Sequence, residues 1–243
     1  MTSNTAISFD FWNTLYADGA ENSRMDRRKA LFKNTVNTYR SVSEIEINKA
    51  FDLSFDFFIS EWKEKMRTPT AVERISLMAR HLKIDLPYNE VAELAEDFGR
   101  LIMEIPPLEI KGVKRTVRIL AEKYQLGIIS DTGYICGRHI RSFLEKEGMM
   151  DCFSSLVFSD EHSHSKPHFS VFKKTADQLN VTLAGLIHIG DLERTDILGA
   201  SKAGCRSIKF TGANHRSAEK SAATYVANTY ESVLTELKNL VSQ

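Results

Sequence analysis

The chain predicts an α/β protein: a parallel sheet with helices on both faces, interrupted early by an inserted α-helical bundle. Three observations predict it. From Gln125 onward, short apolar runs alternate with amphipathic helical runs, the pattern of a sheet wound with crossover helices. From Glu21 to about Glu104 the chain reads as helix after helix with no strand between. The opening run, Ala6 to Asp10, has strand character and belongs with the later runs. The expected division is therefore a core of residues 1–17 and 108–243 and a helical insert of residues 18–107.

Each element has a local reason. In "SFDFWNTLY", Ile7, Phe9 and Phe11 alternate with small or polar residues, as in a strand, and Asn13-Thr14 reads as a turn. Ala17-Asp18-Gly19-Ala20 is a hinge. "RMDRRKALFKNTVNTYR" spaces its apolar residues by threes and fours. "SEIEINKAFDLSFDFFISEWKEKM" opens on Ser43 as an N-cap. "TAVERISLMARHL" follows Pro69, with Thr70 and Glu73 at capping-box spacing. "NEVAELAEDFGRLIMEI" stops before Pro106-Pro107, and Ile105-Pro106-Pro107-Leu108 is the second hinge. Four helices suit a small bundle. Phe51, Phe55, Phe58 and Trp62 fall on one helical face and read as bundle interior before a substrate cage. The alternation then runs "QLGIIS", "GRHIRSFLEKEGM"; "SSLVFS", "FSVFKKTADQL"; "GLIHIG", "TDILGASKAG"; "CRSIKF"; and a weaker "TYVA" before "YESVLTELKNL".

Composition narrows the partners. The chain has 243 residues, and its 32 basic side chains equal its 32 acidic ones. Nothing pulls it towards nucleic acid or an anionic membrane. The three cysteines, Cys136, Cys152 and Cys205, have no metal-ligand spacing and read as small apolar fillers in a reducing compartment. There is no basic, apolar leader and no run of the roughly 18 apolar residues that a membrane span needs. The expectation is a cytoplasmic protein with a small-molecule substrate and no sequence signal for an oligomeric state.

In open parallel sheets, ligands bind beyond the carboxyl ends of the strands. Those ends carry Asp10, then Ser130-Asp131-Thr132-Gly133, then the loop from Asp160 to Lys166, then Gly190-Asp191. A carboxylate, a hydroxyl, a lysine and a second carboxylate can converge there. His162, His164 and His168 read as a polar loop before a zinc site or a proton carrier, and His188 as a satisfied interior residue. Arg138 is a candidate anion clamp.

At this point the sequence resembles the haloacid dehalogenase superfamily. "DFWNTL", "IISDTG", "SKPHFSVFKKTADQL" and "HIGDLERTDILGASKAG" match its four motifs in order. The resemblance implies a Rossmann-like core, with the insert as a helical cap. It implies Asp10 as the nucleophile that forms an aspartyl-phosphate, Lys166 as charge beside it, and Ser130 holding phosphoryl oxygens. It implies Mg²⁺ on Asp10, the carbonyl of Trp12, Asp191 and Asp196. Asp131, Thr132, Arg138 and Thr14 are carried with the substrate-contacting group, Thr14 bracing its loop through local hydrogen bonds.

One position departs from the superfamily's phosphatases. They carry a second aspartate two residues after the nucleophile; this chain has Trp12. An indole donates one hydrogen bond and cannot relay a proton. Loss of a positioned acid/base costs about 10²–10⁴ in rate. The superfamily's 2-haloacid dehalogenases carry an aromatic residue there, since a halide leaves without a proton, but they use no metal and lack the acidic fourth motif. The chain keeps Gly190-Asp191 and Asp196. The leading expectation is a Mg²⁺-dependent phosphatase of small metabolites. The alternatives are a metal-free dehalogenase and a catalytically impaired binding protein.

Overall fold

The computed structural model describes residues 5–214 and 221–241. Its elements in chain order are β1 (Ala6–Phe9), β2 (Tyr16–Ala17), α1 (Glu21–Val36), α2 (Glu44–Glu64), α3 (Ala71–His81), α4 (Tyr88–Glu104), β3 (Leu108–Glu109), α5 (Val113–Ala121), β4 (Gln125–Ser130) and α6 (Gly137–Lys146). They continue with β5 (Ser155–Phe158), α7 (Phe169–Gln178), β6 (Leu186–Gly190), α8 (Leu198–Ala203), β7 (Arg206–Phe210), β8 (Tyr225–Ala227) and α9 (Tyr230–Val241).

Six parallel strands form the sheet in the order β5-β4-β1-β6-β7-β8. Helices cover both faces, so β4 and β6 are largely apolar runs, while β1 alternates Ile7 and Phe9 with the small, buried Ser8. Val117, Phe143 and Val233 pack from α5, α6 and α9 against Ile7 and Phe9. Val171, Phe172 and Ala200 pack from α7 and α8 in the cluster that holds Ala6 and Ile129. The chain winds from β1 through β4 to β5, then crosses back to β6 on the other side of β1. That reversal opens a crevice at the carboxyl end of β1, the place where such sheets hold ligands.

Four helices, α1 to α4, lie between β2 and β3. Those two short strands pair antiparallel, Tyr16 with Glu109 and Ala17 with Leu108, and tie together the two chain crossings. Both hinge stretches expected from the sequence border this pair. Ser43 and Thr70 cap α2 and α3 in full capping boxes with Glu46 and Glu73. The insert has its own core, built on Phe32, Phe51, Met78 and Phe98. Tyr134, from the loop after β4, enters that core and shares a hydrogen bond of 2.7 Å with Ser54 Oγ.

Besides the short pair β2 and β3, two elements went unanticipated. Helix α5 buries Val113, Val117 and Leu120 at helical spacing, but it starts at Gly112 with no side-chain cap to announce it. A π-helical turn, Glu193–Ile197, precedes α8. Such turns concentrate at functional sites.

Candidate active site

The strand ends converge. Phe9 pairs with Ile128 on one side and Ile189 on the other, so Asp10 emerges level with the ends of β4 and β6. Its amide donates to the Ile189 carbonyl at 2.8 Å. Carboxylate oxygens of Asp10, Asp191 and Asp196 all lie within 4.8 Å of one another, and all three residues are buried. Lys166 Nζ donates to Asp10 Oδ1 at 2.7 Å and to Asp196 Oδ1 at 2.6 Å. One ammonium thus faces three carboxylates. The residual negative charge, gathered from hard oxygen donors in a buried pocket, fits a divalent cation such as Mg²⁺.

The loop geometry delivers these groups. Asn13 turns the chain at φ 54°, in the left-handed region that asparagine tolerates, just after Trp12. Gly190 has a steric cause: a side-chain carbon there would collide with Cβ and Cγ of Asp196. Asp196 is held from three sides. Leu192 N donates to its Oδ2 at 2.8 Å, Lys166 takes Oδ1, and His188 Nε2 lies 3.2 Å from Oδ1. A carboxylate only accepts, so His188 Nε2 donates and its Nδ1 accepts from Ser8 Oγ, 2.9 Å away. His188 is therefore a satisfied interior residue that also orients an acidic group of the site. Through the Leu192 amide, Asp196 also closes the π turn.

Electrostatics differ among the three carboxylates. Burial drives Asp10 well above the usual carboxylate range, against the pull of Lys166. Burial, with Asp196 adding, raises Asp191 to about 6. For Asp196 burial also raises, but Lys166 and His188 outweigh it and hold the group below its ordinary value. Burial disfavours the Lys166 ammonium, yet Asp10, Asp196 and Asp131 hold it above its ordinary value.

A cleft of about 330 Å³ lies between core and insert and shares Trp12 and Asp131 with the loops of the site. Trp12, Asp131, Thr132 and Gly133 line it from the core; Phe55, Phe58 and Arg74 line it from the insert. Asp131 joins the two bodies, accepting from Lys166 N at 2.8 Å and from Trp62 Nε1 at 2.7 Å. Thr68 Oγ1 and Ser159 Oγ meet at 2.6 Å, and Ser165 N donates to Met66 O at 2.7 Å. Ser159 Oγ also accepts from the Thr132 amide at 2.9 Å. Ser130 is buried at the end of β4, its hydroxyl 3.4 Å from the Asp131 carbonyl.

Three expectations need correction. Arg138 does not face the cleft: it is exposed on α6 and binds Glu96 of α4, Nη2 to Oε2 at 2.5 Å. Thr14 is fully buried, and its hydroxyl has no hydrogen-bond partner among the described residues; its carbonyl does the bracing, accepting from Tyr230 Oη at 2.6 Å. The aromatic stripe of α2 is not all bundle interior: Phe51 is, but Phe55 and Phe58 line the cleft and Trp62 binds Asp131. The histidine loop is a polar one, with His162 and His168 both bonded to Ser170 Oγ, at 2.8 and 2.7 Å. Sequence reasoning missed Arg28 and Arg74 around the cleft, and Arg194, whose guanidinium covers the Trp62 ring at 4.0 Å.

A family model described as haloacid dehalogenase-like hydrolase matches residues 9–210, which contain every one of these strand-end groups. The chain belongs to that family. Among characterised members of this hydrolase family, it is 25% identical to glyceraldehyde 3-phosphate phosphatase of Pyrococcus furiosus over 79% of the chain and 90% of that protein. The fold matches 2-haloacid dehalogenase from Pseudomonas syringae pv. Tomato DC3000 with a TM-score of 0.71 at 17% identity, covering 98% and 99% of the two chains. It also matches the putative HAD-hydrolase YfnB from Bacillus subtilis, solved with magnesium bound, with a TM-score of 0.63 at 16% identity over 96% and 98%. No helix among the described residues is long and apolar enough to cross a membrane.

Proposed function

We propose that this hydrolase is a Mg²⁺-dependent phosphatase of small phosphorylated metabolites, with residues 18–107 acting as a cap over the cleft. The observation that carries the reading is the buried Asp10, Asp191 and Asp196 cluster with a single lysine among its carboxylates. The named activity of the Pyrococcus furiosus relative supports the same class of substrate.

Asp10, Asp191, Asp196 and the Trp12 carbonyl would hold the cation, which when bound offsets the negative charge of nucleophile and phosphoryl group. Asp10 attacks phosphorus, the bond to the ester oxygen breaks, and an aspartyl-phosphate forms. Lys166 favours the ionised form of Asp10 against its burial and orients it. Ser130 and the loop amides after it meet the phosphoryl oxygens. Water then cleaves the intermediate and returns Asp10 and phosphate. Trp12 forms a wall of the cleft, packed edge-on against Phe11 at 4.8 Å, and contributes no proton. Leaving groups that depart as weak bases, aryl or acyl phosphates, are therefore favoured over alkyl ones.

Release of p-nitrophenol from p-nitrophenyl phosphate tests the reading. The expected result is turnover that needs added Mg²⁺ and falls at least about 10³-fold in Asp10→Asn. Equal turnover by wild type and variant would overturn it. The aromatic Trp12 favours a second reading, dehalogenation; halide release from 2-chloropropionate in the presence of chelator is expected to be nil.

A further inference from the structure

We propose that Arg74 is the receptor for a second anion carried by the substrate, so that the preferred esters have a leaving group bearing a carboxylate or a second phosphate. The proposal rests on the phosphatase reading of the same cleft and adds the chemical class of the leaving group.

Arg74 lines the cleft from α3 and is only 5% exposed. Its Nε donates to Ser54 Oγ at 3.0 Å, and its guanidinium lies 3.6 Å from the centroid of Tyr134 and 5.0 Å from that of Phe58. Among the described residues no carboxylate forms an ion pair with it. The neighbouring acids are committed elsewhere. Glu21 accepts from Arg24 at 3.2 Å and from Arg28 at 2.6 Å, and Asp18 pairs with Arg24. Glu73, adjacent in sequence, accepts from Arg67 at 2.9 Å and from the Thr70 amide at 2.7 Å. A second cation, Arg28, sits 5.1 Å from the same Tyr134 ring.

Two guanidinium groups therefore share one aromatic ring, and one of them lacks a counterion. Burying a charge without a partner is costly. A ring face offsets part of that cost, and a guanidinium cannot escape it by losing its proton. An anion from outside completes the site, and the planar fork of an arginine suits a carboxylate or a phosphate. The position is right for a substrate. A side-chain carbon on Gly133 would lie 3.9 Å from Arg74 Nη1, so the guanidinium sits over the loop that begins at Ser130. Trp12 lines the same cleft two residues from Asp10. An ester with its phosphoryl group at Asp10 would lay its leaving group between Trp12 and Phe58, towards Arg74.

The test compares phenyl phosphate, 4-carboxyphenyl phosphate and 1,4-phenylene bisphosphate, three esters with the same ring. Wild type is expected to show kcat/KM about tenfold or more higher for at least one charged ester than for phenyl phosphate, the factor expected of a charge-assisted hydrogen bond; which one is preferred separates carboxylate from phosphate. Arg74→Gln should erase most of that ratio, chiefly through KM, and Arg74→Lys should restore part of it. A wild-type ratio near one, or a ratio that Arg74→Gln leaves intact, overturns the proposal while the phosphatase reading stands. If none of the three esters turns over, the phosphatase reading falls instead. Calorimetric titration of 4-carboxyphenyl phosphate into Asp10→Asn, with and without Arg74→Gln, still reads the anion site. Binding that is lost with Arg74 supports it, and equal binding overturns it.

Discussion

At the scale of single residues, the site is built by groups whose chemistry is set by a few neighbours. Gly190 is glycine because Asp196 lies where a side chain would begin. Gly190→Ala should push Asp196 away from Lys166 and His188 and weaken the cation site. The expected outcome is that Mg²⁺ raises the melting temperature of wild type but leaves this variant's unchanged; a cation at 100 times its Kd adds about 2.7 kcal/mol. Trp12 is the other decisive position. Trp12→Asp supplies the acid/base that the indole cannot, and should raise kcat on an alkyl phosphate by about 10²-fold or more. Turnover of a good aryl leaving group should rise less, since its departure needs no proton. A steady-state comparison of the two esters checks this.

At the scale of elements, the helices of the insert change character along their length. Helix α2 carries one aromatic stripe over 21 residues, yet Phe51 is buried with Phe32 and Phe98 while Phe55 is 55% exposed at the cleft. Helical spacing reports which side chains share a face, and it is silent on where along that face the neighbouring helix stops. Phe51→Ala should cost about 3–5 kcal/mol of stability. Phe55→Ala should leave the melting temperature nearly unchanged and alter KM. Thermal melts and steady-state kinetics on the pair separate the two roles. Helix α1 shows the same change in its buried row, Arg24, Arg28, Phe32, Val36, which is cationic near the cleft and apolar beyond it. Arg74 sits on the buried face of α3 with Ile75 and Met78. A basic residue placed on an apolar helical face was the sequence signal that could have revealed the cleft cations.

At the scale of the molecule, the insert meets the core through contacts around the site and through the Arg138–Glu96 pair that joins α6 to α4 away from it. Trp62 with Asp131, Thr68 with Ser159, and Tyr134 in the insert's core bracket the cleft, while β2 and β3 hold the two connections together. Motion about the two chain crossings is the expected route for substrate entry, since only two covalent links join insert and core. Removing two latches at once, Trp62→Phe with Thr68→Ala, should open the cleft. A larger radius of gyration by small-angle scattering, with an unchanged far-ultraviolet circular dichroism spectrum, is the expected result.

The sequence by itself determined the sheet, the insert and the strand-end groups. Alternation between apolar runs and amphipathic helices is local, and Asp10, Ser130, Lys166 and Asp191 each follow a strand that their own neighbours specify. The two capping boxes were legible for the same reason, because each is complete within four residues. Only the tertiary structure decided what those groups touch. Lys166 divides itself between Asp10 and Asp196, Arg138 turns to Glu96, Thr14 gives its carbonyl rather than its hydroxyl, and Arg74 is left without a counterion among the described residues. Each of these depends on partners far away along the chain, or on the absence of any. Burial and pairing are properties of the packed surface, and periodicity along one segment carries no information about the segment that will face it.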